Sequence, residues 1–443
     1  MYRAEVPLYG DLLQIVTDVD RAVLEAQGKR LEDRPLRNAL ERHGAIRLGT
    51  ERELQMIKRL FAIFGMRPVG YYDLTVAGFP LHGTAFRPIS AESLSRNPFR
   101  VFTTVLQQEL LSPSIREAVD KTLKGRNLFT PRLCEIIAHA EHRTTISAQD
   151  AKDLIIESLK IFKWHSRSTV SMDAYERLKS EHPMVADIAC FPSAHINHLT
   201  PRTLDIDLVQ QEMVGRRMPA KEVIEGPPPR QCPILLRQTS FKALEERVGF
   251  DNGRGQIVLG THTARFGEVE QRGAAVTRKG RELYDQLLSF ASRNAANVSG
   301  HEFEHILHNA FRKFPDTWEE LRVQQLVYFC YRVTSAGKLG MEMGLSVSPR
   351  VSLDRLLMLG LVEYEPIIYE DFLPFSAAGI FKSNLSERPN RPRSRNSSSN
   401  VTELERVLKC QILDEIELYR GLQEDSIERC REQLGLEEIM HDL

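Results

Sequence analysis

Apolar residues recur at spacings of three and four along several stretches of the chain, the spacing that gathers them on one face of an α-helix. Residues 8–25 carry Leu12, Leu13, Val16, Val19, Val23 and Leu24, and residues 51–64 repeat the pattern with Leu54, Ile57, Leu60 and Phe61. The part spanning residues 1–64 therefore reads as helical. The same spacing returns in residues 112–123, 131–142 and 148–162, so residues 97–180 read as a mostly helical insertion, with 98–111 leading into it. Ser112 before Pro113, and Ser147, supply plausible helix starts. Between these blocks the texture changes. MRPVGYYDLTVAGFPLHGTAFRP, residues 66–88, is rich in aromatics, β-branched residues, glycine and proline, and predicts short strands joined by turns.

A second strand-rich region begins with AHINHLTPRTLDID, residues 194–207. Pro201 and the alternation of Leu204, Ile206 and Leu208 with Asp205 and Asp207 predict a strand entered through a turn. On a strand His195 and His198 point to opposite faces, so only one of them can face a site. A plain alternative is a pair of surface or capping histidines. EGPPPRQCP, residues 225–233, is too stiff and too poor in amide donors for a sheet interior. Residues 234–238 and 256–270 follow as strands. The second ends in Glu268 and Glu270, which share a face, so one can ligate while the other orients a ligand or pairs with Arg265 or Arg272. A solvated strand end laced with ion pairs is the alternative. Helices are predicted over 278–290 and 351–361, and a strand at 362–376. SERPNRPRSRNSSSN, residues 386–400, has almost nothing to bury and predicts a disordered basic loop. Beyond it Leu404, Leu408, Ile412, Ile416 and Tyr419 form a helical stripe available for self-association.

Composition narrows the class. A chain of 443 residues with 42% hydrophobic and 27% charged positions suits one large globular domain or two modest ones. A net charge of -1 gives no electrostatic footprint for nucleic acid or an anionic membrane. The six cysteines are scattered without a CxxC pair, which fits a reducing, cytoplasmic setting. No secretory signal and no apolar run of membrane-spanning length is evident.

Candidate chemistry then comes from spacing. HEFEH, residues 301–305, matches the HExxH pattern of zinc peptidases, with His301 and His305 as ligands and Glu302 as base. His308 and Phe311 stand where the longer pattern needs glycine and a third histidine, and an amphipathic surface helix accounts for the segment as well. A different set ends three strand-rich stretches: His82, then His195 or His198, then Glu268 or Glu270. Two imidazoles and a carboxylate on one face of Fe(II) leave three positions open for an oxidisable substrate and dioxygen.

LHGTAFRP, INHLTPRTLDID, RFGEVEQRG and YEDFLPFSAAGIFKSNL, in that order, resemble the signature segments of the 2-oxoadipate dioxygenase/decarboxylase family, also called 2-hydroxyglutarate synthases. The resemblance runs from about residue 10 to 385. It implies an α+β fold whose β-rich core, residues 66–90 and 183–381, is like the vicinal oxygen chelate proteins and carries extensive added helices. The catalytic domain would then be residues 1–385, followed by a loop at 386–401 and C-terminal helices at 402–443. The family pattern implies His82, His198 and Glu268 as Fe(II) ligands, Arg87 as the clamp on the substrate's distal carboxylate, and Phe375 and Ser376 lining the pocket. His195 and Glu270 then support the ligands. The implied reaction takes 2-oxoadipate and dioxygen to 2-hydroxyglutarate and carbon dioxide, in lysine breakdown, with no nucleic acid or membrane partner. The competing readings are a zinc peptidase built on HEFEH and a non-enzymatic helical interaction protein.

Overall fold

The computed structural model describes the chain except for residues 35, 144, 253, 295–299, 343–347, 374–396 and 442–443. It forms two units, each assembled from three chain segments. The first comprises Met1–Glu225, Gln238–Gln271 and Phe372–Leu413, and the second Gly226–Arg237, Arg272–Asp371 and Asp414–Leu443. The first break falls where the proline-rich segment begins.

The first unit is built on a seven-stranded mixed sheet. Its strands are β1 (Arg42–Leu48), β2 (Arg67–Asp73), β3 (Leu81–Arg87), β4 (Phe99–Leu106), β5 (His198–Pro201), β6 (Leu236–Ser240) and β9 (Phe266–Arg272). They lie in the order β2-β3-β4-β1-β5-β9-β6. β7 (Glu245–Asp251) and β8 (Ile257–Thr263) form a separate antiparallel pair. Partners in register project to the same side of a sheet, so the pairings sort residues onto two faces. Gly44 pairs with Val101 and Leu48 with Val105 on one face, whereas His43 pairs with Arg100 and Arg47 with Thr104 on the other.

The two faces differ in chemistry. Ile46, Leu48, Phe86, Val101 and Val105 pack with Leu54, Ile57, Leu60 and Phe61 of the Glu51–Ile63 helix and with apolar residues of the Pro131–Glu141 and Ala148–Phe162 helices. Each fully buried leucine or isoleucine there contributes roughly 1.5–3 kcal/mol. On β9, Val269 packs instead with the Pro7–Ala26 and Ile206–Gly215 helices. The opposite face carries His43, Arg47, Arg100 and Thr104, all buried, so its charges need partners. Arg100 meets Glu41 at 2.7 Å with both side chains fully buried, and Arg202 approaches the other oxygen of Glu41 at 2.9 Å. Gly44 permits this pairing geometry: a Cβ there would come within 3.0 Å of Leu199 and 3.3 Å of the His198 carbonyl.

The second unit holds β10 (Phe329–Val333) antiparallel to β12 (Val362–Pro366), and β11 (Arg350–Ser352) parallel to β13 (Glu438–Met440). Around them stand the Arg278–Asn294, Gly300–Phe311 and Glu415–Gln433 helices. No described helix is long and apolar enough to cross a membrane.

A β-rich core with many added helices agrees with the expected fold class. Several local expectations do not survive. β1 lies inside the stretch read as helical, and β4 occupies the supposed lead-in to the helical insertion. The alternation at Leu204, Ile206 and Leu208 belongs to the start of the Ile206–Gly215 helix, where Asp205 caps the Leu208 amide at 2.9 Å. Residues 256–270 divide between β8 and β9. The expected basic loop lies mostly outside the described residues, and its last residues open the Ser397–Leu408 helix.

Candidate metal centre

β5 joins the sheet's two halves. It runs antiparallel to β1, with Thr200 opposite His43 and His198 opposite Ala45, and parallel to β9, with His198 beside Phe266. His43, His198 and Thr200 thereby share a face, and so do Glu268 and Glu270, two and four residues beyond Phe266. His43, His198 and Glu268 each present a ligand atom, all within 4.8 Å of one another, and all three are buried. His43 Nε2 lies 3.0 Å from Glu268 Oε2, and His198 Nε2 lies 3.8 Å from the same oxygen. The two imidazole rings meet edge to face, their centroids 5.4 Å apart.

A surrounding layer holds these groups. Glu268 Oε2 accepts from Thr200 Oγ1 at 3.0 Å and from Gln238 Nε2 at 2.8 Å. Glu270 Oε2 sits 2.8 Å from His43 Nδ1, so a carboxylate flanks each nitrogen of the ring. Phe372 packs edge-on against His43 at 4.9 Å. Burial drives the His198 imidazole down to about 3 and keeps it neutral, the form that ligates metals. Burial also acts against charge on His43, but Glu270 and Glu268 outweigh it and hold that imidazole above its usual range. For Glu268 burial favours the acid, yet His198, His43 and Lys221 keep the carboxylate ionised below its usual range.

The donor set fits a divalent metal. Among the described residues Glu268 Oε1 and His198 Nδ1 are buried with no hydrogen-bond partner. A fully buried carboxylate with an unsatisfied oxygen is costly unless a cation joins it. Two imidazoles and one carboxylate are the ligands of the facial triad that suits non-haem Fe(II).

The structure brings His198 and Glu268 together but does not bring His82 to them. His82 pairs with Val105, which pairs with Leu48, so it projects to the apolar face opposite His43. There it meets the Tyr71 ring at 6.1 Å, and burial lowers its imidazole to about 4. Arg87 is buried at the end of β3 and donates to the Pro88 carbonyl at 3.1 Å. Glu270 supports His43. His195 is bonded to Asp187 at 3.1 Å, away from Glu268. Phe375 and Ser376 lie outside the described residues. In the HEFEH helix His305 and His308 are exposed, and the side chain of His301 is outside the described set.

Sequence reasoning passed over His43 and Arg47. ERHGAIRLG alternates His43, Ala45 and Arg47 with Gly44, Ile46 and Leu48, a period-two signal for a strand with one polar face. Arg47 projects to the same face as His43, and its charge is among those that lower the His198 imidazole.

Comparison with known proteins gives a consistent result. The profile of the 2-oxoadipate dioxygenase/decarboxylase family matches residues 1–384. The chain is 48% identical over 436 residues to the 2-oxoadipate dioxygenase/decarboxylase of Escherichia coli K12, covering 97% of this chain and 95% of that one. It is 44% identical over 447 residues to the Pseudomonas putida protein of the same name, covering 98% and 95%. The crystal structure of hydroxyglutarate synthase in complex with 2-oxoadipate from Pseudomonas putida is similar at a TM-score of 0.88 and 43% identity, covering 98% of this chain and 96% of that one.

Proposed function

Because the chain belongs to the 2-oxoadipate dioxygenase/decarboxylase family, we propose that it converts 2-oxoadipate and dioxygen to 2-hydroxyglutarate and carbon dioxide at Fe(II) held by His43, His198 and Glu268. The observation that carries this reading is the convergence of two buried imidazoles on a buried carboxylate with an orphaned oxygen. Fe(II) held by these three residues would supply Lewis acidity toward a 2-oxoacid and a means of activating dioxygen. The reaction balances without a second oxoacid, since both atoms of dioxygen end in 2-hydroxyglutarate and the carbon dioxide carries the substrate's own carboxylate oxygens.

The protein's own groups supply orientation and charge. Glu270 Oε2 flanks His43 at Nδ1, and Thr200 and Gln238 hold Glu268 Oε2, the oxygen that faces both imidazoles. Arg47, on the same strand and face as His43, takes the substrate's remote carboxylate, because guanidinium stays charged when buried and binds carboxylates through paired donors. Arg47 suits that role better than Arg87. Its field reaches His198, whereas Arg87 stands two strands from β1 and is tied to the backbone at its own strand end. Burial of the whole face excludes bulk water from the reacting groups.

The test is anaerobic reconstitution with Fe(II), then addition of 2-oxoadipate and air, following oxygen uptake and product mass together. One dioxygen consumed per 2-hydroxyglutarate formed supports the reading. Tight zinc binding without oxygen uptake would overturn it.

A further inference from the structure

The Pro183–Ala189 helix carries Asp187, a carboxylate 4% exposed that the reaction above leaves without a role. Its Oδ2 accepts from Arg47 Nη1 at 2.5 Å and from Asn197 Nδ2 at 3.3 Å. Its Oδ1 accepts from His195 Nε2 at 3.1 Å and from His262 Nε2 at 2.9 Å. On the far side, His262 Nδ1 lies 2.9 Å from the Tyr175 hydroxyl, and Trp164 stacks on the His262 ring at 6.0 Å.

Asp187, His195 and His262 have the composition of a second metal site, but the bonding opposes that use. Both oxygens of Asp187 are engaged by N–H donors, and the guanidinium already supplies the cation. An imidazole that donates from Nε2 to a carboxylate has its tautomer fixed by that bond. The cluster is a bracket. A carboxylate gripped by two imidazoles, one of them anchored by a tyrosine, grips one edge of Arg47.

Arginine has many rotamers, and immobilising it at the moment of binding weakens affinity. A guanidinium fixed beforehand avoids that loss. Although burial favours its neutral form, Asp187 is held well below the usual carboxylate range by Arg47 and His195, so the group that meets Arg47 is a carboxylate.

Taking the reading that Arg47 holds the remote carboxylate, we infer that Asp187 is the positioning residue for Arg47, and that the His195–Asp187–His262 bracket sets the preference for a 2-oxoacid with a second carboxylate over one ending in a methyl group.

The experiment compares 2-oxoadipate with 2-oxohexanoate. Dissociation constants are measured by calorimetry on the Fe(II)-loaded full chain under nitrogen, where no turnover occurs, for the wild type and for Asp187→Asn, His262→Gln and Arg47→Gln. Asp187→Asn should reduce the diacid-to-monoacid affinity ratio about tenfold, the worth of one charge-assisted hydrogen bond. His262→Gln, which removes one contact to Asp187, should reduce it several-fold, and it carries the test should Asp187→Asn not fold. Equal weakening of both ligands in these two variants, with the ratio collapsing in Arg47→Gln, would overturn the bracket and leave the Arg47 reading standing. An intact ratio in Arg47→Gln would overturn both.

Discussion

His43→Gln, made beside His82→Gln, separates the ligand set read from the fold from the one implied by sequence resemblance. His43 is 1% exposed and contacts two carboxylates, Glu268 at 3.0 Å and Glu270 at 2.8 Å. Each charge-assisted contact contributes roughly 1.5–3 kcal/mol. A glutamine amide can replace one of them, so the variant should lose about 2–3 kcal/mol of stability, little enough for a well-packed protein of this size to remain folded. Its effect on metal is larger. Loss of a residue that merely supports a ligand lowers metal affinity about 10–100-fold, and loss of a ligand should exceed the upper end of that range. His82 lies on the other face of the sheet, so His82→Gln should keep its iron. The assay is iron content per chain after anaerobic loading and desalting, with thermal denaturation as the control for folding. Full iron in His43→Gln together with loss of iron in a folded His82→Gln would refute the register argument.

Glu270→Gln should weaken iron binding about 10–100-fold, while Glu268→Gln abolishes it, as read by competition with a chelator; equal effects would place both carboxylates on the metal. Arg47→Lys should raise KM for 2-oxoadipate at least tenfold with iron content unchanged, whereas Arg87→Lys should shift KM less than about twofold; the reverse order would return the clamp to Arg87. In the second unit, burial foremost and Asp371 next raise Glu415 from 4.5 to about 7. Its unfolded carboxyl ionises near the lower value, so the folded state holds the extra proton between the two, and stability falls as pH rises through that window. Glu415→Gln should therefore match the wild type near pH 4 and exceed it by on the order of 2 kcal/mol near pH 8, measured by denaturation of the second unit; an equal difference at both pH values would refute the assignment.

Legibility from sequence followed burial. Helices with one solvated face were readable because their stripes repeat every three or four residues, as in Leu54, Ile57, Leu60 and Phe61. Strands buried on both faces were not. FRVFTTVL of β4 is buried at seven consecutive positions, so no polar alternation marks its pleat. β1 alternates, but its polar positions point into the site and not to water, and the short segment was absorbed into the flanking helical pattern. Losing β1 meant losing His43 and Arg47 together. Glu268 and Glu270 were legible because two-residue spacing on a strand needs only local geometry. The choice of His198 over His195 needed the pairing partners of β5, which are more than sixty residues away on either side.

The connectivity of the sheet also bears on how the protein is made. His43 and Glu268 touch although they stand 225 positions apart, and β5, the strand between β1 and β9, sits far from both in the chain. Long-range pairings are the slowest to form. At about 5–20 residues per second, a ribosome needs roughly 10 to 45 seconds to travel from the first ligand to the last. During that interval His43 lacks both of its carboxylate partners, which β9 supplies, whereas Arg47 gains its own once Asp187 has been made.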